Sequence, residues 1–126
     1  MGVDDRVQLE PVIHIKVPMQ VHRVVFYRAQ RITGPTAVLV SIGFGKMPAS
    51  GPTVTRLVSL DKDSVIKFDL AEHVSEVLAG VARANAETGG SLEVEAIEVV
   101  PDDYPGKGQA ERAAYGIALA VQRGEC

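Results

Sequence analysis

The sequence predicts an α+β fold in which one mostly antiparallel sheet carries two helices packed on one face. In the first half, up to about residue 68, apolar and polar residues alternate in short runs separated by Gly and Pro, which is typical of strands. The second half has two long stretches of helical spacing with one strand-like run between them. The expected order is β-β-β-α-β-α, and a fourth short strand can precede the first helix.

Three runs in the first half carry the strand pattern, at residues 12–17, 21–28 and 37–44. A Gly-Pro turn at 34–35 separates the second run from the third. The segment 53–60 is a further candidate strand, and the short run 65–68 can extend its pairing. The first half therefore predicts an antiparallel meander of three to five strands.

The first predicted helix begins after Asp69, which is a suitable N-cap with Glu72 three residues later. Glycines 89 and 90 supply its end, since glycine accepts the left-handed C-cap conformation. His73 is expected on the polar surface of this helix. The apolar stripe that defines its buried side consists of Leu70, Val74, Val77, Leu78 and Val81.

The strand-like run 92–100 changes its apolar phase midway, which predicts a bulge or a departure from the sheet edge. A turn rich in Asp, Pro and Gly follows, and a second helix begins after it. Alanine dominates the apolar stripe of this helix, so it can lie close to a sheet, and Gly124 is a suitable end. The stripe consists of Ala110, Ala113, Ala114, Ile117 and Val121.

The length of 126 residues suits one α+β domain, expected at 11–126 after a flexible polar segment at 1–10. A single cysteine excludes a disulfide framework within the chain and favours a cytoplasmic location. No window approaches the roughly 20 apolar residues of a membrane helix, so no membrane contact is expected. The net charge of −3 gives no general case for nucleic-acid binding.

The turn 102–109, which we call the tip, holds the densest polar chemistry. Asp102, Asp103 and Glu111 could together form an acidic site for a metal ion or for acid–base catalysis, although paired Asp residues more commonly start turns. The Gly-Lys-Gly sequence at 106–108 lacks the further residues of a phosphate-binding loop. No histidine spacing fits a metal site and no serine stands in a nucleophile motif, so no catalytic residue, metal or cofactor is predicted.

Basic residues are concentrated in the predicted sheet, where Arg28 and Arg31 closely follow an aromatic pair, Phe26 and Tyr27. Such a mixture can bind RNA through phosphate contacts and base stacking. The simpler interpretation is a solvated sheet face covered by long arginine stems.

Several segments together resemble domain IV of translation elongation factor G. They are the Gly-containing loop and strand ITGPTAVLVSIGF, the helix–strand segment HVSEVLAGVARANAETGGSLEVEAIEVV, and the acidic tip with its Ala-rich helix, DDYPGKGQAERAAYGIALAV. Tyr104 and Glu111 keep the spacing of the family's tip tyrosine and of the glutamate that opens its last helix, whereas Pro105 stands where the family has a histidine. The resemblance, over about residues 21–121, implies a ribosomal-protein-like sandwich that contacts the ribosome, without translocase activity.

The leading interpretation is therefore a stand-alone domain-IV-like binding module without catalysis of its own, contacting RNA, the ribosome or a protein partner. Its predicted contact residues are Tyr104, Lys107 and Gln109 at the tip, with Arg28 and Arg31 as a second, basic patch. Two alternatives remain open. One is a small enzyme or ligand-binding domain that uses Asp102, Asp103 and Glu111, because many enzymes share this kind of fold. The other is a homo-oligomeric module that joins exposed sheet edges.

Overall fold

A computed structural model describes residues 8–17, 20–57 and 66–125, with side chains from residue 24 onward. Its elements are, in chain order, β1 (Gln8–Val17), β2 (Gln20–Thr33), β3 (Thr36–Phe44), β4 (Thr53–Arg56), α1 (Leu70–Thr88), β5 (Val94–Val99) and α2 (Gln109–Gln122). No helix in these ranges is both long and apolar enough to cross a membrane.

All five strands of the described chain join one sheet in the order β1-β2-β3-β5-β4. Neighbouring strands are antiparallel except β4 and β5, which are parallel and are connected through α1. A parallel pair needs such a long connection, because a tight turn can only reverse the chain. The predicted α+β class, with its mostly antiparallel sheet and the additional fourth strand, is confirmed.

Both helices cover the same face of the sheet, as predicted. Apolar residues of β3 and β5 form one buried cluster with the small and branched residues of the two helices. Alanine supplies much of the contribution of α2, which brings its backbone close to β2 and β3. The fully buried members with branched side chains include Val38, Val40, Ile42, Val77, Ile97, Val99 and Ile117.

The opposite side of the sheet, which we call the outer face, has its own small buried cluster. Val24 and Phe26 lie over Gly43, where an added Cβ would stand 2.5 Å from the Cγ1 atom of Val24. Ala96 completes this cluster. Because Gly43 has no side chain, there is room above it for Val24 and for the ring of Phe26.

The predicted helix boundaries are confirmed by local hydrogen bonds. The carboxylate of Asp69 accepts the N–H of Glu72 at 3.0 Å, as an N-cap does. Gly89 ends α1 in the left-handed conformation with φ 75°, and its N–H donates to the carbonyl of Asn85. Gly124 has the same kind of conformation after α2, with φ 71°.

The strands differ from the predictions in two places. β4 ends at Arg56, and residues 66–68 are not in a strand, while 58–65 lie outside the described residues. The predicted flexible segment 1–10 overlaps β1, since residues 8–10 pair with β2; residues 1–7 are likewise outside the described part. The bulge predicted in the last strand is confirmed: the single step from Gly43 to Phe44 on β3 corresponds to two steps on β5, from Ala96 to Val94, so Glu95 is the extra residue.

The two helices run parallel, and their backbones are in close contact at Gly80. A Cβ added there would lie 2.4 Å from the carbonyl oxygen of Glu111 and 2.8 Å from the amide nitrogen of Tyr115. Both atoms belong to the backbone of α2, so neither can move aside without moving the helix. The absence of a side chain at residue 80 therefore sets the distance between α1 and α2.

We expect Gly80→Ala to lower the free energy of unfolding by about 1–3 kcal/mol, because overpacking forces the helices apart. The matched control is Gly116→Ala in α2, where the nearest atom to an added Cβ is a side-chain nitrogen of Arg31 at 4.0 Å. That control should raise stability by up to about 1 kcal/mol through helix propensity. Urea unfolding measures both, and equal effects of the two substitutions would contradict the close contact.

Candidate functional site

The tip is anchored on β3, which extends beyond the end of β5. Ala37 and Tyr104 exchange two backbone hydrogen bonds of 3.0 Å each. The N–H of Leu39 donates to a carboxylate oxygen of Asp103 at 2.8 Å. These bonds give partners to backbone groups of β3 that have no neighbouring strand on the β5 side. They also fix the tip relative to the sheet.

Ala37 of β3 lies between Ile32 of β2 and Tyr104 of the tip. Ile32 pairs with Ala37 across β2 and β3, and Ala37 forms the bridge to Tyr104. Directly paired residues point to the same side of a sheet, so both side chains stand on the outer face. Their main chains are about 10 Å apart, given two strand spacings. We call these three residues the tip patch.

The tip patch is exposed. Tyr104 has 66% and Ile32 54% of its surface accessible, and they are the exposed large hydrophobic residues among the described side chains. Tyrosine combines a large apolar surface with a hydroxyl group, a combination that is common in protein interfaces. The position predicted for Tyr104 at an exposed tip agrees with its place in the structure.

The other two residues predicted at the tip have different surroundings. The side chain of Lys107 is exposed to solvent. Gln109 is 2% exposed, and its Oε1 atom accepts the N–H of Gly106 at 2.8 Å. Gln109 therefore closes the turn from inside, and its side chain is not presented to a partner at the surface.

The structure does not bring the three predicted acidic residues together. Asp102 lies 3.4 Å from the ammonium group of Lys67, while Glu111 lies 3.8 Å from Arg83 on α1. Asp103 points to β3 instead. Within the described ranges, no group of three or more His, Cys, Asp and Glu residues could hold a metal ion.

Burial raises the pKa of Asp103 from its usual 3.8 to about 6. The hydrogen bond from Leu39 acts in the opposite direction, and the neighbouring charge of Asp102 adds to the increase. The folded state thus holds a proton on Asp103 more tightly than the unfolded chain does. Stability from this group is largest below pH 4 and is lost as the pH rises through 6.

We expect Asp103→Asn to remove this pH dependence while its side-chain oxygen still accepts the N–H of Leu39. The free energy of unfolding of the wild type, minus that of the variant, should decrease steadily from pH 4 to pH 7. Urea unfolding at several pH values gives the difference, and NMR titration of the carboxyl carbon checks the pKa itself. A difference that does not change with pH would contradict the burial of the charged group.

Arg28 belongs to an ion-paired cluster on the outer face. Its Nη2 atom lies 2.6 Å from Oε1 of Glu98, and the hydroxyl of Ser41 donates to the same oxygen at 2.6 Å. Glu98 and Ser41 are both buried. The three residues stand in one row across β2, β3 and β5, so the guanidinium group compensates a buried carboxylate.

The second arginine of the predicted basic patch lies on the other side of the sheet. Arg31 is three positions from Arg28 on β2, so its side chain leaves the opposite face, where it approaches Gly116 of α2. The structure therefore separates the two arginines by the thickness of the sheet. A phosphate backbone cannot reach both from one side.

Arg28→Ala should lower the free energy of unfolding by about 3 kcal/mol, because it leaves Glu98 buried without its counter-charge. Gln30→Ala is the matched control, since Gln30 is exposed two positions further along the same face of β2. Its effect should stay within about 0.5 kcal/mol. Thermal unfolding distinguishes the two, and equal effects would show that the ion pair is unimportant for stability.

A cavity of about 310 Å³ lies on the helix side of the sheet, where α1 and α2 begin. His73, in the first turns of α1, is part of its wall and is 3% exposed, so the prediction of a surface position was wrong. The ring of Phe68 lies against it, with the ring centres 5.3 Å apart. The cavity is lined by Phe68, Asp69, Glu72, His73, Glu76, Pro105, Gly106, Lys107 and Ala110.

His73 is buried because the true buried stripe of α1 is rotated from the predicted one. The stripe contains His73, Val77, Gly80, Val81 and Ala84. The sequence signal for this buried face is the pair of small residues, Gly80 and Ala84, because small side chains allow a second helix to approach closely. Desolvation lowers the pKa of His73, while the charge of Glu76 acts in the opposite direction, so the imidazole is neutral at pH 7.

No protein-family model, curated protein sequence or solved structure matches the chain significantly. A fold of this kind occurs with many activities, so the function depends on the residues of the site. What the structure defines is an α+β protein with an exposed, rigidly anchored tip patch on one side and a partly enclosed cavity on the other.

Proposed function

We propose that this protein is a stand-alone binding module, without catalysis of its own, that contacts a protein partner through the tip patch. The observation that carries the proposal is the exposure of Tyr104 on a backbone that β3 holds in place. An aromatic side chain on a fixed backbone loses little conformational freedom when it binds. Residues of this type supply much of the binding energy in protein interfaces.

The charges around the tip favour a protein over RNA. Asp102 and Asp103 adjoin Tyr104, and Lys107 is the single cation of the tip. The charge of Arg28, on the same outer face, is paired with Glu98. RNA binding depends on several uncompensated Lys and Arg residues that reach phosphates. We therefore treat RNA contact as the competing outcome in the test.

The sequence resemblance to domain IV of elongation factor G suggests where such a partner would be found. If the relation holds, the tip patch contacts a protein of the ribosome or of the translation apparatus, in the cytoplasm. The single cysteine is consistent with that location.

The test is co-purification of the tagged protein from its native cells, comparing the wild type with an Ile32→Ser, Tyr104→Ser double variant. A specific partner should be recovered at least tenfold less with the variant, because the apolar contact surface is lost. The control is Lys46→Ser, an exposed position beyond the other end of β3. Both variants should unfold at the same urea concentration as the wild type, within error.

Two outcomes of this experiment would reject the proposal. A partner that the double variant retains does not use the tip patch. A partner that is released by nuclease treatment, or whose binding falls steeply with salt, indicates RNA instead of a protein.

Self-association of the chain is a separate hypothesis with its own measurement. β1 and β4 are the edges of the sheet, and edge strands can pair with a second copy. Light scattering would report a mass well above 13.4 kDa if the edges pair in solution. A monomer at micromolar concentration rejects this hypothesis without affecting the tip patch.

A further inference from the structure

β1 and the first part of β2 extend beyond the rest of the described sheet. β2 pairs with β3 from Phe26 to Thr33, whereas its pairing with β1 continues back to Gln20. Residues 11–17 and 20–25 therefore form a two-stranded ribbon, and within the described sheet neither segment has a strand on its other side. The ribbon lies at the opposite end of β2 from Ile32 and the tip patch.

The ribbon places two histidines directly opposite each other. His14 of β1 has His22 of β2 as its partner, and the pairs immediately before and after it keep the same register. Directly paired residues of antiparallel strands lie on the same face of the sheet, with Cβ atoms about 4.5–5.5 Å apart. The spacing of the two histidines along the sequence fits no metal-binding motif, so it is the strand pairing that brings them together.

The two histidines belong to the outer face of the sheet. His22 stands two positions before Val24 on β2, and alternate residues of a strand share one face. Both helices cover the opposite face. The third histidine of the chain, His73, does not compete for a ligand, because both of its ring nitrogens are buried.

The chemistry of histidine selects the class of ligand. Imidazole suits Zn²⁺, Ni²⁺ and Cu²⁺, whereas Mg²⁺ and Ca²⁺ prefer oxygen ligands. A histidine is mostly neutral at pH 7, and the neutral form is the one that binds a metal ion. Zn–N bonds are about 2.0–2.1 Å long, so two imidazoles share an ion only when their residues are close neighbours, as directly paired residues are.

We propose that the cross-strand pair of His14 and His22 is a binding site for a divalent transition-metal ion such as Zn²⁺, Ni²⁺ or Cu²⁺. The pair supplies two ligands, and water completes the coordination. An open site of this kind exchanges its metal, unlike the closed sites with four protein ligands that stabilise zinc-dependent folds. The proposal is independent of the tip patch and of any partner bound there.

The test is an NMR titration of the whole protein with NiCl₂ at pH 7, because paramagnetic Ni²⁺ broadens the signals of nearby nuclei. The protein carries Cys126→Ser, which removes the single thiol as a competing ligand. We expect saturable broadening of the amide signals of the ribbon, while the signals of α2 stay sharp. Excess Zn²⁺ should displace the Ni²⁺, and excess Mg²⁺ should not.

Substitution of each histidine measures its contribution to the metal affinity. Loss of a residue that only orients a ligand weakens metal binding about 10–100-fold, so His14→Gln and His22→Gln should each weaken it at least about tenfold. The matched control is Arg23→Gln, which changes the neighbouring position on the other face of β2 and should not weaken binding. The amide spectrum of each variant without metal verifies that it is folded.

Acidification gives an independent readout of imidazole binding. The affinity for Ni²⁺ should be lost as the pH falls from 7 to about 5, because a protonated imidazole does not bind a metal ion. Equal affinity of the wild type and the double variant without both histidines would overturn the proposal. A loss caused by only one of the two single substitutions would also overturn it, since one histidine alone would then account for the binding.

Discussion

The length difference between β3 and β5 is the constraint on which the position of the tip depends. β3 continues past its neighbour, so backbone groups at Ala37 and Leu39 need partners that the sheet cannot supply. The chain after β5 provides them through Tyr104 and Asp103. Leaving a buried or edge amide without a hydrogen-bond partner raises the free energy of the folded state. The hydrogen bonds to Ala37 and Leu39 therefore hold the tip against the sheet. The same connection then forms one wall of the cavity and positions the start of α2.

Several charged side chains of this structure are paired with groups of the same chain. Both helices begin at one end, where the carboxylate of Asp69 accepts the N–H of Glu72 and that of Glu76 accepts the N–H of Gly108. On the outer face, Arg28 compensates Glu98 in the same manner. Charged residues such as Arg28 and Asp103, which suggest ligand or nucleic-acid contacts in the sequence, therefore bond to other groups of the same chain. Besides these paired charges, the structure has the exposed tip patch on one side of the sheet and the cavity on the other.

The features that the sequence predicted correctly are those fixed by nearby residues. The cap at Asp69 and the end of α1 at Gly89 depend on neighbours within a few positions, and so does the alternation of β3. The missed features depend on distant contacts. Arg28 and Glu98 are 70 positions apart, and the burial of His73 depends on where α2 lies against α1. The exposed position of Tyr104 was predictable from its turn, whereas the inward orientation of Gln109 required the closed loop to be known.

The way in which the tip is attached has a consequence for how this protein can change. Tyr104 is held by its main chain, and the side chain that supports the turn belongs to the preceding residue, Asp103. The phenol ring itself contributes little to the attachment, since most of it is in solvent. Substitution at this one position can therefore change the chemistry of the exposed surface while the fold stays the same. In the proposed binding role, recognition would depend on Tyr104 and folding on the adjacent Asp103, so a single substitution could change the specificity without affecting the fold.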